Sequence, residues 1–143
     1  MTDSTHRTVL VPIASDEDAA VTGDAVSSRF DEATIIAVYV VEKAGGAPDT
    51  AGVEQREEFA RGLFETFERH FRDGNATIRN RIAYGTNVAK TLLEVAADED
   101  ADAIVFVPRG ESRWRQLLTG DVARKLLNQT DRPVLILPRE TDE

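Results

Sequence analysis

Four short stretches of this chain are apolar almost without interruption: Val9-Leu10-Val11-Pro12-Ile13, Ile35 to Val41, Ala103 to Val107 and Val134-Leu135-Ile136-Leu137. Each is short for a core helix and none alternates polar with apolar, so each fits a strand buried on both faces. Strands of that kind belong to parallel sheets covered by helices on both sides. A fifth stretch, Ala76 to Ala83, does alternate, with Ile78 and Ile82 on one side and Arg79 and Arg81 on the other. That pattern predicts a sheet-edge strand with one wet face.

Helical segments separate these strands. After a first strand over Arg7 to Ile13, Ser15 is the expected N-cap, with Asp16, Glu17 and Asp18 in the first turn. Carboxylates there suit the positive end of the helix dipole. This helix is expected to run to about Phe30 and to bury Ala20, Val21, Ala25 and Phe30, with Gly23 a local weakness. The second strand spans Thr34 to Val41, and Glu42 to Gly52 reads as a long loop. Between Val53 and Phe71, Phe59, Leu63, Phe67 and Phe71 recur every four residues and predict the main helical contribution to the core. His70 stands where a cation suits the helix C-terminus.

Thr86 is the expected N-cap of a third helix carrying Val88, Leu92, Val95 and Ala96. It ends in Asp98-Glu99-Asp100, an acidic run at the negative end of the dipole, read as a solvated feature that costs a little stability. A fourth helical segment, Val122 to Leu127, precedes the last strand. This alternation specifies one three-layer α/β/α domain over residues 7–138, with a five-stranded, mostly parallel sheet and four helices. Residues 1–6 read as a flexible tail and 139–143 as a polar one.

Composition narrows the function. Twenty-six acidic residues against 17 basic give a formal charge of −9, which repels nucleic acid and anionic membranes. No apolar run approaches the ~18 residues of a membrane span, and Met1 to His6 has no apolar core for a secretory signal. A cytoplasmic protein is expected. The absence of cysteine removes disulfides, thiolate nucleophiles and Cys-based metal sites. The only histidines are His6 and His70, and no Ser/His/Asp or Cys/His set can be assembled by sequence position, so no enzyme is expected. Lysine occurs only at 43, 90 and 125. Many acids, few lysines and no cysteine resemble proteins of salt-loving archaea, where carboxylates keep the surface soluble and salt screens the charge.

The stretch between the fourth and fifth strands sits where such folds hold anions and nucleotides. No G-x-G-x-x-G follows the first strand, where Pro12-Ile13-Ala14-Ser15-Asp16 stands, and no G-x-x-x-x-G-K-[ST] occurs. The acidic constellation of a phosphoacceptor receiver is missing too. From Val9 to Pro138 the chain instead resembles the universal stress protein family. The resemblance is carried by Val9 to Ile13, Ala101-Asp102-Ala103-Ile104-Val105, Arg109-Gly110 with Leu117-Leu118-Thr119-Gly120-Asp121-Val122, and Arg132-Pro133-Val134-Leu135-Ile136-Leu137.

The resemblance implies an adenine nucleotide alpha hydrolase-like fold, a dimer often formed through the last strand, and membership in a family divided into ATP binders and non-binders. The binders carry G-x-x-G, nine residues, then G-[ST], with an aspartate just after the first strand. Gly110 and Gly120 keep that interval, but Val107, Asp121 and Ala14 stand at the first glycine, the Ser/Thr and the aspartate positions. Val107 and Pro108 remove backbone freedom, and Pro108 also removes an N–H. As an N-cap, Asp121 would fill the anion slot itself. Ala14 accepts no hydrogen bond from a ribose.

The implied nucleotide or anion positions are Pro12, Ala14, Val40, Val107, Arg109, Gly110, Arg113, Gly120, Asp121 and Val122. Arg109, Arg113 and Arg115 cluster there against one acid, Glu111. Guanidinium forks hold phosphate or carboxylate bidentately, and Trp114 could stack on a base or pack under a partner. The loop therefore reads either as an anion or nucleotide site of altered geometry or as an interface loop whose arginines pair with acids. The leading expectation is a non-catalytic dimeric stress-response module acting through a protein partner, with standard ATP binding lost and no cofactor. The alternative is a regulator that binds ATP, another adenine nucleotide or an anion. Val134, Leu135, Ile136 and Leu137 are expected to form the homodimer, because a short apolar edge must be covered.

Overall fold

The computed structural model describes residues 7–30, 32–42, 50–71, 76–107 and 127–137. Strands β1 (Thr8–Pro12), β2 (Thr34–Glu42), β3 (Thr77–Gly85), β4 (Ala103–Phe106) and β5 (Val134–Ile136) form one sheet in the order β3-β2-β1-β4-β5. Every neighbouring pair is parallel. Helices α1 (Asp16–Ser27), α2 (Thr50–Arg69) and α3 (Val88–Asp98) connect the first four strands. Of the fourth helical segment, residues 127–129 are helical and 122–126 lie outside the described residues, as do the two tails and positions 43–49 of the long loop.

The continuous apolar runs supply both faces of the sheet. Val9, Val11, Ile35, Ala37 and Val105 pack with Ala19, Ala25 and Val26 of α1 and Leu63, Phe64 and Phe67 of α2. Their strand neighbours Leu10, Ile36, Val38, Ile104 and Phe106 turn the other way, onto Val88, Leu92 and Val95 of α3. Side chains alternate across a strand, so a sheet covered on both sides needs apolar residues at every position.

The first helix differs from expectation in its end and its face. It stops at Ser27, where the Arg29 and Phe30 amides bond to the Val26 carbonyl and turn the chain. Ala25 is buried as expected, and Ala19, Thr22, Gly23 and Val26 are buried with it, while Ala20, Val21 and Phe30 are only partly buried. Gly23 sets this face. A Cβ there would lie 2.8 Å from the Phe67 carbonyl oxygen and 2.9 Å from the His70 Cβ. The glycine thus permits a close approach of α1 to α2 and is more than a local weakness. Around it, Thr66 Oγ1 donates to Asp16 Oδ1 at 2.6 Å, and His70 Nδ1 lies 3.3 Å from Asp24 Oδ1. His70 therefore meets α1, where the sequence suggested only a helix end.

At the end of α1 the Ser27 hydroxyl is buried, with the residue 4% exposed, and has no hydrogen-bond partner among the described residues. Ser27→Ala is expected to stabilise the protein by about 1 kcal/mol, by removing a desolvated hydroxyl and improving helix propensity. A higher urea midpoint at unchanged slope is the expected readout.

The second helix begins at Thr50, so the expected loop is shorter than its Gly/Pro content suggested. Its buried face is Ala60, Leu63, Phe64 and Phe67. A spacing of four drifts around a 3.6-residue turn, which leaves Phe59 at the margin of that face. Contrary to the stripe reading, Phe59 is 50% exposed and packs edge-on with Tyr39 at a centroid distance of 5.6 Å. Phe71 falls beyond the helix and packs, partly buried, 5.8 Å from Phe67.

The third helix is capped by Asn87, not Thr86: its side chain accepts from the Lys90 amide at 3.0 Å while its backbone stays extended. The C-terminal end closes by paired bonds from Asp100 N to Ala97 O and from Ala101 N to Ala96 O, with Asp100 in the left-handed region at φ 55°. The acidic run at this end is not simply solvated. Arg81 Nη1 donates to Glu99 Oε2 at 2.8 Å and its Nη2 to Asp98 Oδ2 at 3.1 Å, while Arg79 Nη2 lies 3.1 Å from Glu99 Oε1. The Glu99 side chain is only 14% exposed, and its hydrogen bond is the chief cause that raises the Arg81 pKa above the ordinary arginine value. As predicted, β3 is an edge strand; its polar face reaches across to brace α3.

Candidate functional site

β1 lies between β2 and β4, so the order of strands reverses at its carboxyl end. The crevice outside that reversal is where open parallel sheets hold ligands. The described segments nearest it are Pro12 to Ser15 after β1 and Phe106-Val107 after β4, flanked by the ends of β2 and β3.

Pro12 closes β1 opposite Val38 and is buried. The Ile13 amide continues the ladder to Val38 O at 2.9 Å, and Ala14, partly buried, packs on the α3 side of the core. Val40 is buried on that same side, whereas Val107, 2% exposed, packs on the α1–α2 side. The sheet thus places the side chains of Val40 and Val107 on opposite faces. None of Pro12, Ala14, Val40 and Val107 has a polar side-chain group for a ribose or a phosphate. The nearby Asp16 carboxylate is already engaged by Thr66. Arg109, Gly110, Arg113, Gly120, Asp121 and Val122 lie outside the described residues, as do Glu111, Trp114 and Arg115.

Neighbouring features escaped the sequence reading. A side chain at Gly85 would collide with the Thr91 hydroxyl, which itself donates to Asn87 O at 2.8 Å. Gly85, Asn87 and Thr91 together lock the β3–α3 junction at the same end of the sheet. The available signal was an asparagine immediately before the apolar period of α3. Tyr84 donates to Glu57 Oε2 at 2.9 Å, and burial first, then Glu57, raises its phenol above the ordinary value. At the opposite end of the sheet, Asp102 brackets the start of β1: its carboxylate accepts from Thr8 N at 2.8 Å and its amide donates to Thr8 O at 2.7 Å.

On the other flank, β5 is the outer strand beyond β4. Ile136 is 49% exposed, Val134 and Leu135 are partly buried, and Leu137 faces the α1–α2 core while its amide donates to Phe106 O at 2.8 Å. Three of the four residues expected at the dimer contact therefore present some surface, and Leu137 points inward. Among the described residues no group of three or more His, Asp or Glu could hold a metal ion. No described helix is long and apolar enough to cross a membrane.

With this architecture in hand, the model of the universal stress protein family matches residues 5–138. The chain belongs to the universal stress protein family. Universal stress protein MJ0577 of Methanocaldococcus jannaschii is 23% identical over 83 residues, covering 58% of this chain and 51% of that relative. The match thus spans about half the length of the curated relative. Among solved structures, hypothetical protein PH0823 superposes with a TM-score of 0.70 at 22% identity, covering 96% of this chain and 98% of that one. A universal stress protein from Archaeoglobus fulgidus in complex with dAMP gives a TM-score of 0.61 at 15% identity, over 92% and 97%. At such identities the likeness establishes the fold: this is the five-stranded α/β fold of the universal stress proteins.

Proposed function

We propose that this protein is a non-catalytic, dimeric stress-response module that acts through protein partners and has lost standard ATP binding. The family match supports the stress-response role. The observation that carries the loss of ATP binding is Val107: where ATP binders have a loop glycine, this chain places a side chain buried in the core. Ala14 adds to it by offering no acceptor at the end of β1. The sequence supplies further support in Pro108 and Asp121, and β5 offers the exposed strand for the dimer. The acid-rich, lysine-poor composition supports a cytoplasm of high salt, and a halophilic archaeon as the source.

Calorimetry with ATP and magnesium, at moderate and high salt, tests the loss of binding. The expected result is no binding at micromolar concentration; a micromolar or tighter dissociation constant overturns the proposal.

One observation favours a second reading. A protein of the same fold was solved with dAMP, and Arg109 and Arg113 accompany Gly110 and Gly120 in the corresponding stretch of this sequence. Under that reading the loop binds an adenine nucleotide or another anion through arginine forks. Titration with dAMP would then show binding that is lost in the double variant Arg109→Ala, Arg113→Ala. Unchanged affinity in that variant excludes the arginine role.

A further inference from the structure

We infer that Arg132 is the positioning residue of the β5 edge, the side chain that fixes the register in which a second copy of this chain can pair. This rests on the proposed reading of β5 as the dimer strand. β5 has only three residues, and its partners on β4 are Ile104, Val105 and Phe106. So short a ladder leaves much of the strand's placement to what precedes it.

What precedes it is a turn fastened to another element. Thr130 Oγ1 donates to Arg132 O at 2.8 Å and accepts from Arg132 N at 3.2 Å. The Arg132 guanidinium then reaches the end of α3, where Nη1 donates to Ala96 O at 2.7 Å and to Ala101 O at 3.0 Å. Its Nε donates to Asp131 Oδ1 at 2.9 Å. The side chain is 16% exposed. Two carbonyls converge there because the paired closing bonds of α3 fold Ala101 back over Ala96. A cation at that spot also complements the negative end of the helix. The hydrogen bond that the guanidinium donates to Asp131 is the chief cause that raises the Arg132 pKa above the ordinary value.

The consequence lies one residue further on. Pro133 O accepts from Ile104 N at 2.9 Å, and from that point Ile136 faces outward while Leu137 enters the core. A one-residue slip of a strand exchanges its two faces. It would turn Leu137 out and bury Ile136. Arg132, anchored before the strand starts, holds the register that presents Ile136.

The test compares the full native chain with Arg132→Ala and Arg132→Lys, measuring dimer dissociation by sedimentation and local amide exchange by mass spectrometry. Arg132→Ala is expected to weaken the dimer at least roughly tenfold, the factor that one lost charged hydrogen bond commands. It also speeds exchange at Leu135 to Leu137 while β1 and β2 stay protected. Arg132→Lys recovers part of both, since an ammonium can reach a carbonyl but lacks the fork; it also serves if the alanine variant does not fold. Val26→Ala, a core substitution on α1, lowers global stability and leaves the dimer constant unchanged. Native dimer strength together with native protection at β5 in Arg132→Ala overturns the inference. A native chain that is monomeric overturns the dimer reading instead, and the exchange measurement still decides whether Arg132 positions the strand.

Discussion

Phe67→Ala lowers the unfolding free energy by about 3–5 kcal/mol, whereas Phe59→Ala costs less than about 1 kcal/mol. Both phenylalanines belong to one four-residue repeat on α2, and a sequence pattern gives them equal weight. Phe67 is fully buried between the sheet and α1, and its carbonyl is the atom that Gly23 approaches. Its removal leaves a cavity that the close-packed α1–α2 contact cannot collapse to fill. Phe59 is half exposed and loses an edge contact with Tyr39. Urea unfolding of the two variants checks the difference; equal midpoints would contradict the assigned faces of α2.

The second large effect lies at the end of α3. Glu99→Ala is expected to cost about 2–3 kcal/mol at low salt, because it removes two charge-assisted contacts from a carboxylate that is mostly shielded. Arg81 keeps Asp98 and Arg79 loses its acid. The cost should fall as salt rises, since the screening length drops from about 10 Å at 0.1 M to about 3 Å at 1 M. Part of it should persist, because partly buried pairs are screened less. Urea midpoints across a sodium chloride series give the measurement. A variant as stable as the native chain at low salt would return the acidic run to the role of a solvated surface.

At both of these sites the sequence pattern misleads; it succeeds in the sheet. The unbroken apolar runs forced strands buried on both faces, and such strands require helices on both sides. Strand placement and the edge position of β3 could therefore be read from pattern alone. Residue spacing likewise placed Val88, Leu92 and Val95 on the inner face of α3. The candidate site was legible as a position in the fold, at the carboxyl end of β1. That Val40 and Val107 lie on opposite faces was not.

The sequence by itself determined the α/β architecture, because hydrophobic periodicity is local and each strand or helix carries its own. Tertiary structure alone decided the partners. Arg79 and Arg81 meet Glu99 and Asp98, Arg132 meets Ala96 and Ala101, and Gly23 meets Phe67 and His70. Each pairing joins segments distant along the chain whose approach depends on how α1, α2 and α3 settle on the sheet. Composition shows that a charge or a glycine is present. Only packing brings it to the carbonyl, carboxylate or backbone that gives it a role.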